Sequence, residues 1–393
     1  MFRPRNSPPI QSNSEATDRR IRRVNSSRDP RKRRLVIGVG LFILLIIAGL
    51  IIGGWYKYYF SPPRETLAHV HDVKFNQADV VQRARMIQAG QDFGGAHVGL
   101  MEIMRVLWND DVNVSSGPFT LGMVQMEMLK QAAPEFGVNV TEEEIDLFIE
   151  STFTPSVPEG QEVSEDQIER ERKELYQVYL NRNRLTDKQF RTLMKERFYF
   201  FDMREALSAG LSKETEHVEI WWVRVPLVPG PNIPDPDKFQ NIPEIRERLE
   251  EEGFEAVAPN FAYDVTGKPL YEFADTTGYV GWLPKGAFPS LDKYIFGTAE
   301  ISPLPLDQVS PPIDSSQYYY ILKVSDGPEI RPVEDRWQDR RKDVALQEWI
   351  KERFEIGTSE GWIGVSYNSK LYAWAQKQIN DTSKQRRGNQ EAR

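Results

Sequence analysis

A run of twenty uncharged residues, Leu35–Gly54, limits what this chain can fold into. A helix of about that length crosses the ~30 Å hydrocarbon core of a bilayer. The next six residues are WYKYYF, and such aromatic rings suit the interface between lipid and water. A cleaved signal peptide is the competing interpretation, but its apolar region is shorter and ends at small residues. The run therefore predicts an uncleaved transmembrane helix over residues 35–54.

The charges on the two sides of this run differ in sign. Residues 1–34 hold eleven Lys and Arg against three acidic residues, a net charge of +8, whereas the whole chain carries −8, so the remainder carries −16. Basic residues that flank a first span stay in the cytoplasm. We therefore expect a cell-membrane protein with a cytoplasmic N-terminus and an extracytoplasmic body. The basic residues also suit nucleic acid or anionic lipid, but an acidic body argues against nucleic acid as the main partner.

Local patterns divide the chain into seven segments. Apolar residues recur at steps of three and four from Val80 onward, which is typical of helices, and a β-rich run begins at Val218. A helical pattern returns after Pro328 and is expected to pack on the first helical region. The predicted segments are a disordered basic tail (1–34), the transmembrane helix (35–54), a stalk (55–75), a helical module (76–212), an inserted α+β domain (213–328), C-terminal helices packing on the helical module (329–381) and a disordered tail (382–393).

Three residue pairs with the spacing of a capping box mark helix starts in the helical module. In such a box a hydroxyl accepts from a backbone N–H at the helix start, and a side chain three residues later reaches back. The pairs are Thr141 with Glu144, Ser164 with Gln167 and Thr186 with Gln189. The predicted helices cover residues 142–151, 165–181 and 187–207.

Five methionines lie in two earlier segments of the module, LMEIMRVLW from Leu100 and LGMVQMEML from Leu121. Their flexible side chains suit varied apolar partners. The same helical spacing also fits an ordinary core. Both interpretations stay open at the level of sequence.

Signals for metal, cofactor or nucleotide chemistry are missing from the sequence. It contains no cysteine, and its four histidines are His69, His71, His97 and His217. The pair His69 and His71 falls in the predicted stalk, where solvent-facing side chains are expected. No Walker A motif, Gly-x-Ser-x-Gly elbow or HExxH motif occurs. We predict no cofactor, no metal, and neither nucleotide nor nucleic acid as a partner.

The order of the segments, together with five short stretches, resembles the SurA/PpiD/PrsA type of foldase. The stretches cover residues 135–149, 185–198, 253–264, 276–297 and 318–326. The resemblance spans about residues 76–378. It implies an α+β protein with a single transmembrane helix, a SurA-like chaperone module, an inserted parvulin-type (PpiC) peptidyl-prolyl isomerase domain and a returning C-terminal helix.

The same resemblance locates the isomerase site. Parvulins place two histidines on adjacent strands, and here Ile220 and Tyr320 stand at those positions. Ala287 and Leu291 stand where the family has Met and Phe to cradle the proline ring, and Asp264 stands where it has Cys or Asp. Rotating an X-Pro amide needs preorganised groups rather than a covalent step, and an isoleucine cannot join a hydrogen-bond network. The resemblance therefore implies a degenerate site.

Two residues near this site have an alternative interpretation. His217 would be the first histidine if the strand register were slipped, but three residues along a strand reverse the face, so a surface histidine is expected. Asp264 precedes VTG and is either a turn residue or the one remaining catalytic candidate. Substrate-binding positions are expected at the groove. They are Trp282, Phe288, Leu291, Tyr320 and Ile220.

The predicted function is that of a membrane-anchored extracytoplasmic chaperone for unfolded or newly exported polypeptides. Two alternatives remain from the sequence. One is an active peptidyl-prolyl cis-trans isomerase, and the other is a cell-envelope interaction protein with one dedicated partner.

Overall fold

The computed structural model describes residues 30–90, 100–109, 114, 117–157, 163–228, 232–233, 239, 241–315, 318–366 and 368–391. The chain forms two compact units, one ending at Glu65 and the other beginning at Thr66. Most of the predicted basic tail, His97 and most of the proline-rich residues 228–243 lie outside the described residues.

The helices and strands are numbered along the chain. The helices are α1 (Pro30–Trp55), α2 (Gln77–Gly90), α3 (Leu100–Leu107), α4 (Met123–Ala132), α5 (Glu142–Phe153), α6 (Glu165–Asn183), α7 (Asp187–Ser208), α8 (Ile242–Glu251), α9 (Phe254–Val257), α10 (Pro289–Ile295), α11 (Asp335–Glu360) and α12 (Ser369–Glu391). The strands are β1 (Thr66–Val70), β2 (Val73–Asn76), β3 (Glu214–Pro226), β4 (Tyr279–Pro284), β5 (Ile313–Asp314), β6 (Tyr318–Pro332) and β7 (Ile363–Val365).

The first unit contains a helix that is long and apolar enough to cross a membrane. It covers Ile37–Phe60, because a turn of π-helix, Tyr56–Phe60, continues α1. At 1.5 Å per residue this helix is about 36 Å long, which exceeds the bilayer core. Its large apolar side chains are exposed, for example Leu50 at 72%. Such a surface is unfavourable in water, so the helix is a candidate anchor or signal sequence.

The aromatic residues after α1 pack on one another. The Phe60 ring stacks on Tyr56 at 5.3 Å between centroids, and the Arg64 guanidinium lies 3.8 Å from the Phe60 ring centroid. Arg64 also donates a hydrogen bond to the Phe60 carbonyl oxygen at 2.7 Å. The first part of the predicted stalk is therefore an ordered helical turn.

The second unit begins with a β-hairpin, which differs from the stalk predicted for residues 55–75. Strand β1 pairs antiparallel with both β2 and β7, giving the sheet order β2-β1-β7. Leu67, Ala68 and Val70 are buried there. This pairing was missed because β7 comes about three hundred residues later and is only three residues long. His71 stacks on Trp362 at 4.5 Å instead of standing alone in solvent.

A helical body holds the largest apolar cluster, which is built from α2, α3, α4, α7, α11, α12 and the small sheet. The C-terminal helices return as predicted, since Leu346, Ile350, Tyr372 and Ile379 are buried in this cluster. Helix α12 extends to Glu391, whereas a disordered tail was expected from residue 382.

The methionines of the Met-rich helices belong mainly to this core. Met126 and Met128 are 1% and 2% exposed, and Met104 and Met123 are half-buried against the same cluster. The side chain of Met101 is outside the described residues. For the described methionines, packing in this core explains the helical spacing, and an open client surface does not.

Helices α5, α6 and α7 begin where the capping pairs predict. Thr141 Oγ1 accepts from the Glu144 N–H at 3.2 Å, and Glu144 Oε2 accepts from the Thr141 N–H at 2.7 Å. Thr186 makes the same reciprocal box, whereas at Ser164 the hydroxyl accepts the backbone bond alone. The three helices end one or two residues beyond their predicted ends.

An α+β segment, residues 214–332, is inserted between α7 and α11. Its antiparallel sheet has the strand order β4-β3-β6-β5. One face packs against α10 and the start of α11, and the other packs against α8 and α9. The predicted boundary at residue 328 falls inside β6, which runs on to Pro332 because it pairs with the beginning of β3.

Candidate functional site

Four of the predicted site residues meet on one face of the sheet. Ile220 on β3 and Tyr320 on β6 are 0% and 4% exposed. Phe288, just before α10, and Leu291, on α10, pack against them. Ala287 joins the same apolar cluster. The structure thus brings together the two expected histidine positions and the two expected ring positions, all of them occupied by apolar or aromatic side chains.

Trp222 lies at the centre of this cluster and was not singled out from the sequence. Its ring is T-shaped against Phe288 at 5.2 Å and against Tyr320 at 5.4 Å. Because side chains alternate along a strand, a residue two positions after Ile220 shares its face. That spacing was the available signal for Trp222.

Trp337 from α11 completes the cluster. It is fully buried, stacks on Phe273 at 4.9 Å and meets the edge of Phe288 at 6.4 Å. The C-terminal helix was predicted to pack on the helical module, but its first turns pack on the α+β segment. The helical pattern after Pro328 gave no information on which core buries this tryptophan.

A cleft of about 430 Å³ opens beside the cluster, between the α+β segment and α11. Aromatic rings from β6 and from the residue before α10 form one side, and α11 forms the other. The aromatic residues are Phe288, Tyr318 and Tyr320, and the α11 residues are Arg340, Val344, Gln347, Glu348 and Lys351.

The polar groups in the cleft are held by specific partners. The Arg224 guanidinium lies 4.1 Å from the Tyr318 ring centroid, pairs with Glu272 at 2.8 Å, and donates to the Leu270 carbonyl oxygen at 2.7 and 3.0 Å. Burial raises the pKa of Tyr320, and neighbouring Arg224 opposes this shift, so the phenol stays neutral at physiological pH. Arg340 lies 4.8 Å from the Phe288 ring centroid.

Asp264 and Trp282 lie apart from this cluster. Asp264 Oδ1 accepts from the Thr266 N–H, the Thr266 hydroxyl and the Lys268 N–H at 2.8, 2.6 and 2.9 Å. The Thr266 hydroxyl bond is the main cause that lowers the pKa of Asp264, and the carboxylate closes a turn. Trp282 is half-buried on β4 beneath the Arg331 guanidinium, 3.3 Å from its ring centroid.

His217 is buried, although it was expected at the surface. It is 2% exposed, and its Nδ1 lies 2.8 Å from the Thr215 carbonyl oxygen. Burial lowers its pKa, so the ring is neutral. Irregular pairing of β3 with β6 on both sides of Glu219 shifts the local register, which simple alternation does not anticipate.

The cluster offers apolar contact and little hydrogen bonding. Ile220 and Leu291 have no polar side-chain atom, and Tyr320 is the polar group at the histidine positions. At the two expected histidine positions the cluster therefore presents an aliphatic side chain and a phenol. Among the described residues, no group of three His, Asp or Glu side chains could hold a metal ion.

No protein-family model and no curated protein matches this chain. Similar solved structures include the PrsA peptidyl-prolyl isomerase from Bacillus anthracis, at 16% identity and a TM-score of 0.35, covering 62% of this chain and 97% of that one. The foldase PrsA from Streptococcus pneumoniae follows at 14% identity and a TM-score of 0.25, covering 77% and 97%.

A third similar structure comes from Campylobacter jejuni, where PEB4 and Cj1289 are described as SurA-like chaperones. It has 13% identity and a TM-score of 0.20, and covers 59% of this chain and 97% of that one. At these values, function has to be argued from the residues of the chain itself.

Proposed function

We propose that this protein is a membrane-anchored, extracytoplasmic chaperone that binds unfolded or newly exported polypeptides. In this proposal α1 is the anchor, and the basic residues before it keep the N-terminus in the cytoplasm. The α+β segment is a parvulin-type domain that has lost isomerase chemistry and kept a binding surface. The order of segments and the motifs that resemble SurA, PpiD and PrsA support this assignment.

One observation carries the proposal: an aromatic cleft lies beside the expected isomerase positions, where Ile220 and Tyr320 stand in place of the two histidines. Phe288, Tyr318 and Tyr320 present rings to a space of about 430 Å³, which is large enough for a few residues of an extended chain. Tyr318 adds a hydroxyl that can hydrogen-bond to a peptide backbone. Ring contact with little directional bonding suits varied clients.

Exposed apolar side chains on helices α5 and α6 give the proposal a second support. Leu147 on α5 is 64% exposed, and Leu175 and Val178 on α6 are 42% and 62% exposed. Apolar surface left open on a folded protein often marks an interaction site. An unfolded segment long enough to reach both places would gain from two weak contacts in one chain.

The full chain in lipid nanodiscs provides the test. We expect it to slow the aggregation of an unfolded client without nucleotide, and Tyr318→Ala to weaken this effect several-fold because a ring is removed from the cleft. Tyr263→Ala, which removes a 45% exposed ring outside the cleft lining, is the matched control. Unchanged aggregation with the wild-type chain, together with one stoichiometric partner in pull-downs, would favour the dedicated-partner alternative.

The isomerase alternative is decided by exchange spectroscopy on a short X-Pro peptide with the same preparations. We expect no rate enhancement, because Ile220 and Leu291 cannot polarise or hydrogen-bond the amide. A clear enhancement that Tyr320→Phe abolishes would instead make the protein an enzyme.

A further inference from the structure

The first turns of α11 cover the apolar face of the α+β segment. Trp337 is 0% exposed and belongs to the same cluster as Ile220, Phe288 and Tyr320. This helix therefore occupies apolar surface that an incoming chain would otherwise contact. The open cleft begins where Arg340 and Val344 follow along the same helix.

Arginines on both sides of Trp337 tie the helix to the segment. Arg336 Nη2 donates to the Val280 carbonyl oxygen on the edge strand β4 at 3.1 Å. Arg340 Nε donates to the Ala287 carbonyl oxygen at 3.1 Å. Loss of the Arg336 bond therefore removes one of the polar interactions that hold the helix to the segment.

The contact also leaves polar atoms without partners. Within the described part of the chain, the indole N–H groups of Trp222 and Trp337, Asp292 Oδ1 and Arg341 Nε are buried and make no hydrogen bond. Each unmade bond lowers the stability of the closed contact relative to one in which water or another chain supplies a partner.

The α+β segment is attached to the helical body by a narrow neck. The beginning of β3 pairs with the end of β6, with Glu214 opposite Pro332, and the Val333 N–H donates to the Lys213 carbonyl oxygen at 2.8 Å. Both covalent links to the body, residues 209–213 and 333–334, meet at this point. A small rotation there moves the segment away from Trp337 without disturbing its own sheet.

The other half of α11 is fixed in the body. Leu346 and Ile350 lie in the helical core, and Asp343 accepts from Arg204 Nε at 2.6 Å. The helix is therefore the stationary partner, and the α+β segment is the part that can move.

We propose that α11 is an intramolecular strap over the client-binding face of the α+β segment. A client segment with an apolar or aromatic side chain replaces Trp337 on this face when the segment rotates on its neck. This inference rests on the proposed function, because it describes how access to that site is regulated. The occupied state exchanges an internal contact with unmade hydrogen bonds for a chain whose backbone can supply them.

Two variants of the full chain in nanodiscs test the strap in opposite directions. Arg336→Ala removes the bond to Val280 and lies outside the cleft lining. Asp292→Asn keeps an acceptor for the Gly286 N–H, which now donates to Asp292 Oδ2 at 2.7 Å, and removes a poorly solvated charge. Arg353→Ala is the control, since Arg353 is on the same helix but stacks on Trp362 at 5.3 Å.

Two measurements are made on each variant. One is hydrogen exchange of residues 280–296, and the other is binding of a reduced, carboxymethylated model protein followed by fluorescence anisotropy. Arg336→Ala should raise both exchange and affinity about five-fold, the factor expected when one net hydrogen bond holding the closed state is lost. Asp292→Asn should lower both, and Arg353→Ala should change neither.

The possible failures are distinguishable. Exchange that is the same in Arg336→Ala and wild type means that the strap does not open in this way. Faster exchange with unchanged affinity means that clients do not use the covered face. If the wild-type chain binds no client, the proposed function is wrong, and so is the replacement of Trp337 by a client. Hydrogen exchange in that case still shows whether the strap opens.

Discussion

The two halves of α11 are held by different kinds of contact. In the second half, Leu346 is buried in the apolar core of the helical body, and Asp343 is paired with Arg204. In the first half, Trp337 is buried among aromatic rings of the α+β segment, and Arg336 donates to a backbone carbonyl oxygen on β4. Apolar packing and an ion pair thus hold one half, whereas aromatic packing and an arginine hydrogen bond hold the other. The two halves are therefore expected to respond to different kinds of substitution.

The largest effect is expected from Leu346→Ala in the second half. Removing a fully buried leucine side chain should lower the free energy of unfolding by about 2–5 kcal/mol. Chemical denaturation in detergent micelles measures this change. Gln347→Ala, an exposed neighbour, should change stability by less than about 0.5 kcal/mol. Equal effects of the two changes would show that burial of the Leu346 side chain does not stabilise the second half of α11.

A second large effect is expected within the α+β segment at Gly278. Its φ is +83°, and an added Cβ would lie 2.5 Å from the Trp222 carbonyl oxygen, which β3 holds in place. Gly278→Ala should cost about 2–4 kcal/mol from the combined left-handed conformation and overlap.

Gly267→Ala is the matched control for this change. Its φ is +80°, but no atom lies within 4 Å of the added Cβ, so about 1–2 kcal/mol is expected. If both variants unfold alike in the same denaturation assay, the close approach of Gly278 to β3 has no energetic consequence.

The third effect depends on pH and concerns Asp292, which faces α11. Burial raises the pKa of Asp292 from 3.8 to about 6, against the Gly286 N–H bond and nearby Lys285 and Arg341. A raised carboxyl pKa means that the folded state prefers the protonated form. The contribution of protonated Asp292 to the stability of the folded state is therefore present below about pH 4 and is lost as the pH rises toward 6.

Asp292→Asn should accordingly stabilise the protein above pH 6, by at most about 3 kcal/mol. The difference between variant and wild type should disappear as the pH falls to about 4. Thermal unfolding at several pH values measures both. A difference that is constant across this range would show that titration of Asp292 plays no part in the contact.

Local chemistry made much of the fold predictable. Capping boxes at Thr141 and Thr186 predicted two helix starts. They could do so because the threonine and its Glu or Gln partner lie within one turn of each other. Apolar spacing from Val80 onward indicated helices for the same reason. These signals need no information about the rest of the chain.

The remaining features depend on distant or irregular contacts. Strand β1 pairs with β7, which comes about three hundred residues later. Trp337 is buried in a cluster whose β3 residues come about a hundred residues earlier in the chain. The burial of His217 follows from irregular pairing in β3. At the candidate site, the resemblance placed Ile220, Phe288, Leu291 and Tyr320 in one cluster, but Asp264 closes a turn elsewhere. Short motifs align residue types and do not fix which face or which core receives them.

The sheet β2-β1-β7 has a consequence for biosynthesis. Ribosomes make β1 about three hundred residues before its partner β7, and before the buried Tyr372 and Ile379 beyond it. The helical body therefore cannot close until β7 and α12 have been made, and β1 has one edge unpaired until then. A protein that we propose binds unfolded polypeptides thus keeps its own first strand incompletely paired through about three hundred further residues of synthesis.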